Sequence, residues 1–143
     1  MKILAFRLTP GADLKQSLRR IVDEHDIRAG CIVSCVGSLA RARLRMPGAA
    51  GEPEGFKSLD EPTEIISLVG TLCPDGLHLH IALARRDGQC IGGHLVDGCV
   101  VHTTAEVIVG ELTDLEFRRA PDPETGYLEL WVSGRNPDPG QGR

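Results

Sequence analysis

Hydrophobic residues recur at helical spacing near the start of the chain. Four aliphatic residues between positions 13 and 25 fall on one face of a helix: Leu14, Leu18, Ile21 and Val22. Charged residues occupy the opposite face. A turn signal, TPGAD at residues 9–13, separates this stretch from a short aliphatic segment at residues 2–8. We therefore predict a first strand followed by one amphipathic helix over about residues 12–25.

After this helix, the pattern is that of β-strands. Segments rich in aliphatic and β-branched residues alternate with Gly, Pro, Asp and Asn turn signals. The predicted strands span residues 29–37, 38–46, 63–72, 77–85, 89–96, 99–112 and 127–132. One helix with many strands predicts an α+β fold, and no second domain is indicated. Residues 47–62 are rich in Gly, Pro and Glu and are predicted to form a loop, whereas residues 133–143 are predicted to be a disordered tail.

Length and charge narrow the possible functions. A chain of 143 residues buries a core without disulfide or metal support, so a bound metal would serve function rather than folding. The formal charge of −4 argues against nucleic-acid binding through bulk electrostatics. Five cysteines without C-x-x-C spacing indicate reduced thiols. With neither a signal sequence nor an apolar segment of membrane-spanning length, we expect a cytoplasmic protein with no membrane partner.

Three histidines lie in the segment LHLHIALARRDGQCIGGHL at residues 77–95. His78 and His80 point to the same face of a strand, because side chains alternate along it. Two imidazoles on one face can converge on an ion, and a catalytic zinc site needs a third protein ligand. The same pattern would also fit partly buried, hydrogen-bonded strand histidines. His94 decides which of the two interpretations the sequence favours.

The turn between the two strands determines where His94 lies. With a two-residue turn at Asp87 and Gly88, position 94 would oppose position 81 and face away from the histidine pair. With a three-residue turn at residues 86–88 and a left-handed Gly88, position 94 would oppose His80 and share its face. A bulge at the Gly92–Gly93 pair could also reset the register. We favour the shared face.

Two acidic residues in apolar strands are candidate catalytic groups. Glu106 shares a strand face with His102 and Thr104, and Glu64 opens the strand at residues 63–72. A carboxylate among aliphatic residues requires a partner or a raised pKa. Either group could orient a histidine, bind a cation or act as a general acid or base, and either could instead pair with an arginine at an interface.

Arg41, Arg43 and Arg45 alternate with apolar residues and are predicted to lie on one strand face. Such a row can hold a phosphate or carboxylate through bidentate hydrogen bonds. It is also typical of the solvated side of an edge strand, where charge discourages aggregation.

The chain resembles the plant and prokaryote conserved domain, named PPC or PCC. The resemblance covers residues 3–132, and we assign residues 1–132 to this domain. It is carried by the segments RLTPGADLKQSL, VGSLARARLR, TEIISLVGTL, LHLHIALARRDGQCIGGHLVDGCVVHTTAEVIV and GYLELWV. Its most specific part is the set His78, His80, Gly92, Gly93, His94 and Glu106.

This resemblance implies a small α+β domain with a largely antiparallel sheet that assembles as a homotrimer. Plant members of the family carry AT-hook DNA-binding segments, whose Arg-Gly-Arg-Pro core this sequence lacks. Stand-alone prokaryotic members are described as DNA-binding proteins. The fold also resembles acetolactate decarboxylase, a zinc enzyme with an His-x-His pair and a third histidine. That likeness implies His78, His80 and His94 as zinc ligands, with Glu106 or Glu64 nearby.

Three functional hypotheses remain open at this point. The first is a DNA-binding or regulatory trimer with a three-histidine metal site. Its DNA contacts would come from Arg41, Arg43, Arg45, Arg85 and Arg86. The second is a small zinc-dependent enzyme, of lyase or hydrolase type, that acts on a small anionic substrate. The third is a trimer that binds a small anionic ligand without chemistry.

Overall fold

A computed structural model describes residues 1–48 and 55–135 of the chain. The elements are β1 (Lys2–Leu8), α1 (Leu14–Glu24), β2 (Gly30–Met46), β3 (Gly55–Leu59), β4 (Thr63–Cys73), β5 (Gly76–Ala84), β6 (Cys90–Leu95), β7 (Val100–Glu111), β8 (Leu115–Pro121) and β9 (Leu128–Gly134). Every strand pairing is antiparallel, so the predicted α+β class with an antiparallel sheet is confirmed.

Helix α1 begins two residues later and ends one residue earlier than predicted. It begins after Asp13, whose Oδ1 accepts a hydrogen bond from the backbone N–H of Gln16 at 3.0 Å, as a helix N-cap does. The other carboxylate oxygen of Asp13 accepts a 2.7 Å bond from the backbone N–H of Gly98. This one side chain therefore ends the preceding turn and ties the helix to the loop before β7. The predicted apolar face of α1 is buried against the sheet.

The main sheet closes on itself. Seven strands belong to it, in the order β1-β7-β2-β4-β5-β6, with β3 paired to β2. β2 pairs with β4 through its first half and with β6 at Leu44 and Arg45, so the path β2-β4-β5-β6 forms a ring. Leu79, Leu83 and Leu95 point inside and are fully buried. The alternate positions face outward and form the outer face of the sheet.

The glycine at position 37 explains why β2 is one strand rather than the two predicted at residues 29–46. Its φ is +148°, and a Cβ there would overlap the carbonyl oxygen of Thr104 on β7. Gly37 therefore allows close backbone approach and does not end the strand. The prediction of a break at this glycine is wrong for that reason.

Two strands were missed by the hydrophobic pattern. β3 lies within the predicted loop at residues 47–62 and buries Leu59 alone among its residues, so its pattern is weak. β8 buries Phe117 but has charged residues at three of its other six positions, and it pairs with β9 in a separate two-stranded sheet. Strand β9 extends to Gly134, beyond the predicted start of the tail. The rest of the predicted tail, residues 136–143, and loop residues 49–54 lie outside the described residues.

Helix α1 is too short and too polar to cross a membrane, and the same holds for any helix in the described part of the chain.

Candidate metal centre

The β5–β6 hairpin brings the three histidines to one face. Its turn is closed by two hydrogen bonds of 2.9 Å: the N–H of Gly88 donates to the carbonyl of Arg85, and the N–H of Arg85 donates to the carbonyl of Gln89. Gly88 has a φ of +83°. This three-residue turn places His80 directly opposite His94, which confirms the register that we favoured.

The glycine pair at positions 92 and 93 serves a different purpose from the bulge considered above. The register between β5 and β6 runs without a shift from His80–His94 to Ala84–Cys90. A Cβ on Gly93 would lie 3.1 Å from the carbonyl oxygen of Arg45, tighter than ordinary contact. Gly93 therefore lets β6 approach β2 closely, at the place where the sheet closes.

The three imidazoles form a compact cluster on the outer face. The Nε2 atoms of His78 and His80 are 3.3 Å apart, and the three ring centroids are separated by 5.1, 5.1 and 5.4 Å. One nitrogen from each ring lies within 4.8 Å of the corresponding nitrogens of the other two. Strand alternation explains the arrangement, since the neighbours of His78 and His80 on β5 point into the core.

These distances fit a divalent metal ion of the zinc type. Two nitrogens bound to one tetrahedral zinc, each at 2.0–2.1 Å, lie about 3.3–3.4 Å apart. The distance between the Nε2 atoms of His78 and His80 already has this value. A nitrogen of His94 lies within 4.8 Å of both, so a small side-chain rotation would bring it to the same spacing. The Nδ1 atom of His94 is buried and has no hydrogen-bond partner among the described residues. Because buried polar atoms are normally paired, this nitrogen is an unusual feature of the cluster.

The surroundings of His78 and His94 favour the neutral form of these two imidazoles. Burial, the nearby Arg45 guanidinium and the other two imidazoles lower the pKa of His94 from 6.5 to about 4. The pKa of His78 is lowered too, first by burial and then by His80 and Arg119, against an opposing effect of Glu129. A metal ion binds the neutral imidazole, so both rings are ready to bind at neutral pH.

Charged residues from three strands surround the imidazoles. Arg45 lies directly opposite His94 in the pairing of β2 with β6. Arg119 on β8 and Glu129 on β9 line the same cavity as His78, which has a volume of about 480 Å³. Sequence reasoning missed Arg119 and Glu129. The segment that contains Arg119 was not predicted to be a strand, and no local pattern indicates that the hairpin returns to the histidines.

The two predicted carboxylates lie elsewhere in the chain. Glu64 opposes Ala84, four residues along β5 from His80, which is roughly 13 Å at strand spacing. It lines a separate cavity that also contains His102. Glu106 is exposed on β7, opposite Arg7 on one side and Val36 on the other. Among the described residues of one chain, Glu129 and Asp75 line the cavity at His78, whereas Glu64 and Glu106 do not.

The predicted arginine row lies on the outer face of β2, where its neighbours Ala42 and Leu44 are buried. The guanidinium of Arg43 lies 4.3 Å from the ring centroid of Phe56 and is therefore engaged in a cation–π contact. Arg45 lines the cavity at the histidines, whereas Arg41 and Arg43 do not. The row is confirmed as a shared face, but its members have different surroundings.

Comparison with protein families identifies the fold. Residues 1–113 match the model of the Plants and Prokaryotes Conserved (PCC) domain. The chain belongs to this family. The three histidines fall within the matched segment of the PCC domain, whereas the β8–β9 hairpin follows it.

Curated relatives of this PCC domain are longer proteins. The chain is 45% identical over 139 residues to the bifunctional protein GlmU of a Synechococcus strain, covering 97% of the chain and 21% of that relative. It is 28% identical over 137 residues to AT-hook motif nuclear-localized protein 8 of Arabidopsis thaliana, covering 90% of the chain and 33% of that relative. The PCC domain thus spans between a fifth and a third of these two proteins.

Solved structures share its fold. A hypothetical protein from Salmonella is 41% identical, with a TM-score of 0.87 and 94% coverage of both chains. The metal-containing protein AF0104 from Archaeoglobus fulgidus is 29% identical, with a TM-score of 0.77, over 92% of this chain and 94% of that one. The α-acetolactate decarboxylase of Bacillus subtilis is 15% identical, with a TM-score of 0.53, over 76% of this chain and 51% of the other. The last comparison confirms the predicted similarity of fold.

Proposed function

We propose that this PCC domain binds a divalent metal ion, zinc in the first place, through His78, His80 and His94. The observation that carries the proposal is the convergence of three imidazoles, two of them already at the nitrogen spacing of a tetrahedral zinc site. The lowered pKa of His94 supports it, because a neutral imidazole is the form that binds a metal. The description of the 29% identical AF0104 as a metal-containing protein supports it as well.

Three protein ligands leave one tetrahedral position for water or a ligand, as in catalytic rather than structural zinc sites. A zinc ion supplies Lewis-acid polarisation of a carbonyl or activation of a bound water. Glu129 lies beside His78 and is placed to accept or donate a proton there, while Arg45 and Arg119 supply positive charge. A small zinc-dependent enzyme acting on an anionic substrate is therefore our proposal for the chemistry of the site.

Metal analysis of protein purified without a histidine tag tests the site. We expect about one zinc or similar ion per chain in the wild type, and a loss of most of it in a His80→Ala variant. His102→Ala is the matched control, because His102 is an exposed histidine on β7 that lines a different cavity. A wild-type protein that takes up no ion from a zinc-containing buffer, or equal metal content in the two variants, would refute the site.

We further propose that the domain assembles as a homotrimer. Large apolar side chains are exposed on the outer face and on the β8–β9 hairpin: Val36 56%, Ile66 58%, Val69 56%, Leu128 60% and Trp131 50%. An isolated two-stranded hairpin is only marginally stable in water. Burial of its exposed apolar residues against another chain would therefore stabilise it. Light scattering coupled to size exclusion should give three times the chain mass. A monomeric mass at micromolar concentration would contradict the proposal.

DNA binding is a second candidate, favoured by the similarity to AT-hook motif nuclear-localized protein 8. The contacts would come from the Arg41–Arg43–Arg45 row and from Arg85 and Arg86. The Arg85 guanidinium is already bridged to Glu61 at 2.6 Å, and the formal charge of −4 opposes binding to phosphates. A gel-shift titration at low salt tests this candidate, since charge-driven binding is strongest there. Absence of a shifted band at low salt would remove it.

A further inference from the structure

We infer that the cavity beside the three histidines is a binding site for a small oxyanion, a carboxylate or a phosphate. In this arrangement Arg45 and Arg119 hold the anion next to the metal position. The inference rests on the proposed metal site and adds the class of ligand that the site selects.

The position of Arg45 follows from strand pairing. On the outer face, Arg45, His94, His80 and Val69 form one row across β2, β6, β5 and β4. Directly opposed side chains on one face have Cβ atoms about 4.5–5.5 Å apart. Arg45 therefore extends from a position next to His94, and its charge contributes to the lowered pKa of that histidine. It lines the 480 Å³ cavity together with His78 and His94.

Arg119 reaches the same cavity from β8, and its orientation is fixed. Its Nη2 donates a 2.7 Å hydrogen bond to Oγ1 of Thr71, and its backbone N–H donates to Oδ2 of Asp75 at 3.1 Å. Thr71 lies directly opposite His78 in the pairing of β4 with β5. A guanidinium has five N–H donors, so one bond to Thr71 orients the group without exhausting its donors.

The two guanidinium groups thus flank the histidine cluster from opposite sides, one beside His94 and the other beside His78. Planar N–H forks suit the paired oxygens of a carboxylate or phosphate. An anion held between them would have an oxygen close to the position that three imidazole ligands leave open on a tetrahedral ion.

The remaining walls limit the size of the ligand and its charge. Leu77, Leu128 and Tyr127 form the less polar part of the cavity, which suits a short aliphatic body attached to the anionic group. Among the described residues, two acidic ones also line the cavity, Asp75 and Glu129. The carboxylate of Asp75 accepts the backbone N–H of Arg119, and Glu129 lies beside His78. A bound divalent ion would add its positive charge to those of Arg45 and Arg119.

Calorimetric titration of the zinc-loaded protein tests the inference with three probes: propionate, inorganic phosphate and the neutral propionamide. We expect at least one of the two anions to bind and propionamide not to bind, which also distinguishes a carboxylate from a phosphate ligand. Arg119→Met and Arg45→Met should each weaken anion binding at least tenfold. Arg119→Lys, which keeps the charge but loses the planar fork, should give an intermediate loss.

Two arginines outside the cavity provide matched controls. Arg118→Met removes the same charge from the neighbouring position of β8, where Arg118 pairs with Glu116 at 2.6 Å, and Arg41→Met does so on β2. Both controls should bind the anion as the wild type does. Metal content is measured on every sample. A wild-type protein without the ion refutes the metal site, whereas a metal-loaded protein that does not bind the anion refutes only the anion site. A metal-loaded wild type that binds neither anion, or equal anion affinity in all the arginine variants, overturns the inference.

Discussion

Gly70 on β4 is a position where the backbone beneath the histidine cluster is highly sensitive to substitution. Its φ is +145°, a conformation that residues with a side chain rarely adopt, and it lies opposite Leu79 of β5. A Cβ at this position would overlap the carbonyl oxygen of His78. Gly70→Ala therefore forces β4 away from β5, the strand that carries both His78 and His80.

The size of the effect follows from two contributions. A non-glycine residue held in a sparsely populated conformation costs about 1–3 kcal/mol. Separating β4 from β5 at this pair weakens one or two backbone hydrogen bonds, each contributing about 1 kcal/mol. We therefore expect Gly70→Ala to lower the free energy of unfolding by about 2–5 kcal/mol, a large fraction of the about 5–15 kcal/mol that a domain possesses. Zinc affinity should also fall at least tenfold, because the shifted carbonyl belongs to His78, a proposed zinc ligand.

Urea denaturation followed by far-UV circular dichroism measures this change. The single tryptophan, Trp131, is half exposed on the β8–β9 hairpin, so its fluorescence would report the hairpin rather than the main sheet. Gly76→Ala, at the first residue of β5, is the matched control, because its Cβ would meet only the Cγ of Arg119 among the described residues, at an ordinary 3.6 Å. If Gly70→Ala unfolds within about 1 kcal/mol of the wild type and keeps its metal, the argument from close backbone approach is wrong.

Three further predictions concern stability. Zinc at 100 times its dissociation constant should stabilise the metal-free wild type by about 2.7 kcal/mol, visible as a rise in melting temperature that His102→Ala retains and His80→Ala loses. In the metal-free protein, the pKa of His94 is lower in the folded than in the unfolded chain. Between pH 6.5 and about 4, the unfolded chain therefore binds a proton at His94 that the folded chain does not bind. Stability should therefore fall as pH drops from 6.5 towards about 4, and less so in His94→Gln; an unchanged pH profile would count against the lowered pKa. Leu79→Ala, at a fully buried position between the two ligands of β5, should cost about 3–5 kcal/mol in urea unfolding, and a cost below 1 kcal/mol would mean that the site is not tightly packed.

The histidine cluster could be predicted from the sequence because its geometry is local. Alternation along β5 places His78 and His80 together, and the three-residue turn ending at Gly88 determines the partner of His94. Each step needs only strand periodicity and turn chemistry, and both operate over a few residues. The assignment of the α+β fold was of the same kind, since it depended on one strongly periodic helix among many strands.

The rest of the cavity could not be predicted, since it depends on contacts between distant parts of the chain. Arg119 reaches His78 through Thr71, which lies 48 residues away in sequence from the arginine. Glu129 follows on the return strand of a hairpin whose first strand has too little hydrophobic alternation to be recognised. The predicted Glu64 and Glu106 were chosen for their apolar neighbours, a property that indicates strand membership and not distance from the histidines.

The β8–β9 hairpin forms a two-stranded sheet of its own. Arg119 attaches it to Thr71 and Asp75, and a backbone hydrogen bond from Phe117 attaches it to Arg28. Its sequence can therefore change during evolution without altering the pairing that positions the imidazoles. The closed sheet would then determine metal binding, and the hairpin would determine which small molecule binds beside the metal, so the two properties could evolve independently. An exchange of hairpins between relatives that share the three histidines would then be a natural route to new substrates.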